Sequence, residues 1–350
     1  MSEAGAECSG CKKWRIDSET DMMNEQIIKS AEKPGLVVLT GPTAVGKTAL
    51  SIRLARAIKG EIISADSMQV YRGMDIGSAK IREEEKEGIP HHLIDVLDPE
   101  ESFDVVRFQS MAKEAARKIR AAGHIPIVTG GTGFYIQALL YDIDFTENDA
   151  DRSFRDRLEA IAETEDGPAL LHRMLEEADP ESAALIHENN IKRTIRALEF
   201  NRQTGQKISV HNEQERARTS PYNFAYFVLN DDREKVYDRI NRRVDLMMEE
   251  GLEAEVGRLH EKGLKRDMVS MQGLGYREML AYLDGETDRE EAVRLIKRNT
   301  RHFAKRQLTW FRREKNVIWM NRQDYPSGDS AILEEMIRIL EEKGIISRQA

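Results

Sequence analysis

Leu36-Val37-Val38-Leu39-Thr40-Gly41-Pro42-Thr43-Ala44-Val45-Gly46-Lys47-Thr48 is the stretch on which the fold turns. Its first five residues are a short, apolar, β-branched run of the kind that forms a buried strand. Its last eight, Gly41, Pro42, Thr43, Ala44, Val45, Gly46, Lys47 and Thr48, match G-x-x-x-x-G-K-[ST]. Beyond them Ala49, Ile52, Leu54, Ala55 and Ile58 recur at helical spacing, and Gly60 ends that helix. A strand, a Gly-rich turn and a helix in this order aim backbone N–H groups and the positive helix end at one anion. Lys47 adds a point charge for terminal phosphates, and the Thr48 hydroxyl is the usual magnesium contact.

The same rhythm continues outward. Glu61-Ile62-Ile63-Ser64-Ala65 is a second strand, and it ends in Asp66-Ser67. A helix fits Asp104–Ala122, with Phe108, Met111, Ala115 and Ile119 on one face. A third strand, Ile125–Thr129, runs into a second Gly-rich turn, Gly130-Gly131-Thr132-Gly133. Alternating strands and helices predict a parallel sheet with helices on both faces and ligands at its carboxyl edge. After Tyr141 the rhythm breaks. From Asp151 to Gly205 only helical patterns occur, and strand character returns at Phe224–Leu229 and Val317–Met320. The expected architecture is therefore α/β, a P-loop NTPase-like parallel sheet core with an inserted all-helical domain. Residues 35–141 and 221–350 would form the core, 142–220 the insertion, and 1–34 a flexible extension.

The composition bounds the function. The chain has 350 residues, 40% of them apolar and 33% charged, with a net charge of −9. It has no apolar run long enough for a membrane helix, and its first residues do not have the form of a secretory signal. Cys8 and Cys11 cannot staple a chain of this length, so a cytoplasmic setting is expected. Overall acidity argues against a general nucleic-acid coat, yet the charge is uneven. Between Glu291 and Lys315 lie nine cations (Arg294, Lys297, Arg298, Arg301, Lys305, Arg306, Arg312, Arg313 and Lys315) against two acids. Lys192, Arg193 and Arg196 form a smaller cluster. Two basic clusters beside a phosphate site point to a polyanionic partner.

A phosphate site does not name a reaction. An Asn-Lys-x-Asp guanine reader is absent, and no apolar strand ends in the Asp-Glu pair of a motor ATPase. An ATP-dependent small-molecule kinase fits the loop but leaves the basic clusters unexplained. A nucleotide-regulated RNA-binding protein fits those clusters but leaves Asp66 idle. The adjacent His91 and His92, expected on a loop, have no third ligand and suit hydrogen bonding better than metal binding.

Seven motifs in order carry a more specific likeness. Gly41–Thr48, Asp66–Gly77, His91–Asp95, Gly130–Tyr135, Lys192–Glu199, Gly275–Glu278 and Lys305–Arg312 resemble the tRNA dimethylallyltransferase (isopentenyltransferase) family over residues 36–322, without the zinc finger of some eukaryotic members. The resemblance implies a bacterial-type enzyme. Such an enzyme moves a dimethylallyl group from dimethylallyl diphosphate to N6 of adenosine 37, beside the anticodon. It also implies roles. The phosphate loop would hold the donor's diphosphate; Lys47, Thr132, Arg243 and Thr48-bound Mg2+ would neutralise it. Asp66 would be the general base or hydrogen-bond acceptor for the attacking amine. Asp66, Ser67, Met68, Gln69, Thr132, Arg155, Lys192, Arg193, Arg196, Gln272, Gly275, Tyr276, Arg277, Lys305, Arg306, Gln307 and Arg312 would meet the tRNA anticodon stem-loop, whose target base must be flipped out. Neither a protein partner nor a membrane is implied, and a monomer is expected.

Overall fold

The computed structural model describes residues 33–145 and 153–347; the expected N-terminal extension with Cys8 and Cys11 lies outside them. Strands β1 (Gly35–Thr40), β2 (Gly60–Ala65), β3 (His91–His92), β4 (Ile125–Gly130), β5 (Asn223–Asn230) and β6 (Val317–Asn321) form one sheet in the order β3-β2-β4-β1-β5-β6. Every pairing is parallel. Helices α1 (Lys47–Ile58), α2 (Val105–Ala121) and α3 (Gly133–Leu140) belong to the first half. Helices α4 (Ser153–Ala162), α5 (Gly167–Ala178), α6 (Pro180–Leu185), α7 (Ile191–Thr204) and α8 (Ile208–Ala217) follow. The chain then adds β5, α9 (Arg233–Glu249), α10 (Leu252–Glu261), α11 (Tyr276–Leu283), α12 (Arg289–Phe311), β6 and α13 (Asp329–Glu342).

The strands are apolar in continuous runs because both faces of the sheet are covered. Successive residues of β1 show it: Leu36 and Val38 pack with α2 and α3, while Val37 and Leu39 pack with α1 and α13. Helices α4 to α8 close over a separate apolar cluster of Leu158, Leu171, Leu175, Ala183, Ile195, Ala197 and Leu198. Asp179 is fully buried there and accepts four hydrogen bonds from Ser182 and Ser209 at 2.7–3.2 Å, which ties α6 to α8.

Two local expectations change. Asp104 is the N-cap of α2, not its first helical residue: its carboxylate accepts from the Arg107 N–H at 2.9 Å. His91 and His92 form the edge strand β3 instead of a loop. Their role is in hydrogen bonding: His91 meets the Ile89 carbonyl at 2.7 Å, and His92 meets Glu61 at 2.6 Å. Glu61 also receives His124 at 2.5 Å, so one buried carboxylate clips the starts of β2 and β4 to the sheet edge.

The sheet order positions the site. Gly130 is in register with Thr40 on one side and with Ala65 on the other. The residues that follow β2, β4 and β1 therefore emerge side by side at the carboxyl edge. These are Asp66, the Gly131–Thr132 turn and the phosphate loop.

Candidate active site

The phosphate loop is braced from outside. The Arg239 guanidinium donates to the Ala44 carbonyl at 2.8 Å and pairs with Asp231 at 2.7 Å. Arg322 donates to the Val45 carbonyl at 3.0 Å and pairs with Asp329. The Lys47 ammonium folds back onto the Gly41 and Pro42 carbonyls, at 3.0 and 2.8 Å. Four loop carbonyls thus already have cationic donors. This is the arrangement of a nest: apart from the Thr43 N–H, which the Gln307 amide takes, the loop's backbone N–H groups face the place of an anion. Thr48 is exposed in the first turn of α1, and its hydroxyl is the group here that could hold a metal.

Asp66 lies one residue past β2. Its Oδ1 accepts from the backbone N–H groups of Met68 at 2.8 Å and Gln69 at 3.4 Å, an Asx turn that fixes the carboxylate and leaves Oδ2 open. Burial pushes the Asp66 carboxyl above its usual range, against the pull of those two N–H groups and of Lys47 and Arg243. Burial and then repulsion from Arg243 push the Lys47 ammonium down to about 7, with Asp66 opposing. Burial also lowers Arg243, which Glu85 and Asp66 oppose. Lys47 and Asp66 both keep a window to solvent, so an arriving ligand can reach them. Arg243 turns inward on α9 while its neighbour Arg242 is exposed. Two desolvated cations facing one carboxylate carry a net positive charge that water does not stabilise fully. A polyanion would relieve it. β4 separates β1 from β2, so Asp66 stands roughly 10 Å from the phosphate loop, two strand spacings.

The loop that carries Asp66, Ser67, Met68 and Gln69 has little regular structure, and buried polar groups shape it instead. Glu255 on α10, 2% exposed, accepts from the N–H groups of Asp75, Ile76 and Gly77 at 2.8–3.0 Å. The Tyr276 hydroxyl donates to the same carboxylate at 2.7 Å. Lys80 ties the loop's far end to Asp75 and Asp95 at 2.6 and 2.5 Å. Neither Glu255 nor Lys80 stood out in the sequence. Glu255 did leave a signal, since it falls inside the apolar stripe Leu252, Val256 and Leu259.

The residues expected at the tRNA divide by exposure. Lys192, Arg193, Gln272, Arg277, Lys305, Arg306 and Arg312 are exposed, and Arg196 and Thr132 are half-buried. Lys305 and Arg306 border an open groove of about 450 Å³ along α12, together with His302, Thr309, Trp310 and Arg313. Gly275 and Tyr276 are buried beneath the Asp66 loop. Arg155 forks onto Glu199 at 2.6 and 2.7 Å, joining α4 to α7. Gln307 also turns inward, 5% exposed, with its amide on the phosphate loop and the Gly131 turn.

Among the described residues, no group of three or more His, Cys, Asp or Glu side chains could hold a metal. No described helix is long and apolar enough to cross a membrane.

A family model described as IPP transferase matches residues 69–314, and one described as isopentenyl transferase matches residues 34–98. A tRNA dimethylallyltransferase of Lachnoclostridium phytofermentans is 61% identical over 89% of this chain and 99% of its own length. One from Bacillus cytotoxicus is 49% identical over 90% and 98%. The crystal structure of a tRNA isopentenylpyrophosphate transferase from Bacillus halodurans, 46% identical, superposes with a TM-score of 0.67 over 89% of this chain and 98% of that one. A eukaryotic dimethylallyltransferase captured acting on tRNA, 28% identical, superposes with a TM-score of 0.75 over 90% and 81%.

Proposed function

The chain belongs to the IPP transferase family and prenylates tRNA, and we propose that it moves a dimethylallyl group from dimethylallyl diphosphate to N6 of adenosine 37. The observation that carries the assignment of groups is the linked trio Lys47, Asp66 and Arg243 at the carboxyl edge of the sheet. An anion site and a carboxylate two strands apart leave room for a five-carbon group between them.

The donor's diphosphate occupies the phosphate loop between Lys47 and Arg243. Thr48 would hold a Mg2+, which would supply charge neutralisation as the leaving group departs. The flipped adenine enters from the opposite side, over Asp66 and Thr132. The bond from C1 of the donor to the diphosphate oxygen breaks, the bond from N6 to C1 forms, and diphosphate leaves with the electron pair. N6 passes one proton to Asp66. The Asx turn holds Asp66 still for this transfer, and the raised affinity of its carboxyl for a proton makes it a better acceptor than an exposed aspartate. Thr132 follows the Gly130–Gly131 turn and lies between the two ends of the reaction. The exposed cations of α7 (Lys192, Arg193) and α12 (Lys305, Arg306), with Arg312 just past α12, hold the tRNA phosphates, with residues 142–220 acting as the tRNA-binding insertion.

Product inhibition tests this placement. Inorganic diphosphate should compete with the donor and not with tRNA, and Lys47→Met should raise its inhibition constant at least tenfold. Diphosphate that competed with tRNA alone, or bound Lys47→Met unchanged, would remove the donor from the loop.

A further inference from the structure

Gln307 follows the exposed Lys305 and Arg306 in α12 and points the other way. Its Oε1 accepts the Thr43 N–H at 2.9 Å, and its Nε2 donates to the Gly131 carbonyl at 3.0 Å. One amide thereby joins the phosphate loop to the turn that carries Thr132. The donor and the acceptor it satisfies come from parts of the chain 264 and 176 residues away.

The two bonds engage both polar ends of the side chain, and at 5% exposure it has almost no surface for solvent or for RNA. The turn is shaped to receive it. A Cβ on Gly131 would sit 2.1 Å from the Gln307 Nε2, so the amide fits only because position 131 is glycine. One turn along α12, Trp310 uses a second gap of this kind. A Cβ on Gly133 would lie 2.2 Å from its Cδ1. The glycines of the Gly131–Gly133 turn are thus explained by the side chains of α12 that fill them.

We propose that Gln307 is a positioning residue of the transfer reaction, an amide clasp that holds the phosphate loop and the Thr132 turn at a fixed separation. The proposal rests on the donor placement given above. The phosphate loop sets where the diphosphate sits, and the turn sets where the Thr132 side of the reacting carbon sits. A clasp between them fixes the distance over which the bond to C1 must break, without touching donor or tRNA. An error of about 1 Å in such a distance can cost on the order of a hundredfold in rate. Its neighbours Lys305 and Arg306, on the outer face of the same helix, belong to the RNA side of the site. Adjacent residues therefore divide the work, and their variants should fail differently.

The experiment compares Gln307→Met, which keeps the length and removes both hydrogen bonds, with Gly131→Ala, which evicts the amide from the turn, and with Lys305→Ala. Three quantities are read on the full chain: affinity for a non-reacting thiolodiphosphate analogue of the donor, affinity for unmodified tRNA, and single-turnover rate at saturation. For Gln307→Met and Gly131→Ala we expect donor affinity to fall about tenfold and the rate by a further tenfold or more, with tRNA affinity within twofold. Lys305→Ala should show the reverse, weaker tRNA binding with donor affinity unchanged. Thermal melting accompanies each variant. If Gln307→Met melts early, Gly131→Ala, with Gln307 intact, decides the matter.

Weaker tRNA binding with intact donor affinity in both clasp variants would overturn the proposal, because Gln307 would then serve the RNA. Kinetics like those of the wild type in both would overturn it too. A wild-type enzyme that makes no prenylated tRNA would overturn the functional reading itself, an outcome distinct from either of these.

Discussion

Replacing Asp66 by asparagine separates its chemistry from its place in the fold. The Oδ1 that accepts from Met68 and Gln69 has a counterpart in asparagine, so the Asx turn persists. What is lost is a proton acceptor. General-base catalysis contributes about 10²–10⁴-fold, so the barrier should rise by about 2.7–5.5 kcal/mol. Stability should respond in the opposite sense. A carboxyl whose folded pKa is raised takes up protons on folding, so stability falls as pH climbs from the usual value of 3.8 through the raised folded one. Asparagine removes that fall, and at neutral pH the variant should melt no earlier than the parent. The wild-type rate should likewise rise with pH through the raised carboxyl pKa, and the variant's should lose that limb. The assay is single turnover with enzyme in excess over tRNA, read by nucleoside mass at several pH values. Asp66→Asn with more than a third of the parental rate, or with the same acid limb, would refute the role of base.

Three other outcomes follow from the same geometry. Lys47 is largely neutral at pH 8 in the free enzyme and becomes charged beside a diphosphate, so donor-analogue binding should take up close to one proton at pH 8 and little at pH 6; calorimetry in buffers of different ionisation heat measures this, and Lys47→Met should abolish it. Glu255→Gln turns an amide N–H toward backbone donors and should cost about 1–3 kcal/mol in urea unfolding while loosening the loop that carries Asp66. Burial works to raise the Glu61 carboxyl, but hydrogen bonds from His124 and His92 outweigh it and hold it below its usual 4.5. Its stabilisation is therefore present above pH 4.5 and lost as pH falls through the lower folded value, so the melting gap between wild type and Glu61→Gln should close in acid.

Much of this was legible in the residues. The phosphate loop, the strands on either side of it and the acid at the end of β2 are local features, each written in a few consecutive positions. The family motifs extended that reading to a function. The strand order was not legible, because it depends on which long connection crosses which strand. Nor was the direction of Gln307 foreseen. Its motif, Lys305–Arg312, is basic, and a polar residue inside it looks like one more RNA contact. The overlooked signal is spacing: Ala304, Gln307 and Phe311 recur at helical intervals on the buried stripe of α12. The inward roles of Tyr276, expected at the tRNA, and of Glu255 were hidden for a related reason. Polar groups that hold a loop from beneath are recognisable only once the loop lies over them.

The central claim, that this cleft joins a prenyl donor to a tRNA base, has one direct measurement. Purified protein is incubated with dimethylallyl diphosphate, Mg2+ and unmodified tRNA bearing adenosine beside its anticodon; the RNA is then digested, the nucleosides weighed and released diphosphate counted. The expected result is a single dimethylallyl mass on adenosine 37, one diphosphate released per modified base, and no requirement for ATP. Tightly bound but unmodified tRNA, or phosphate moved from ATP to a small acceptor instead, would contradict it.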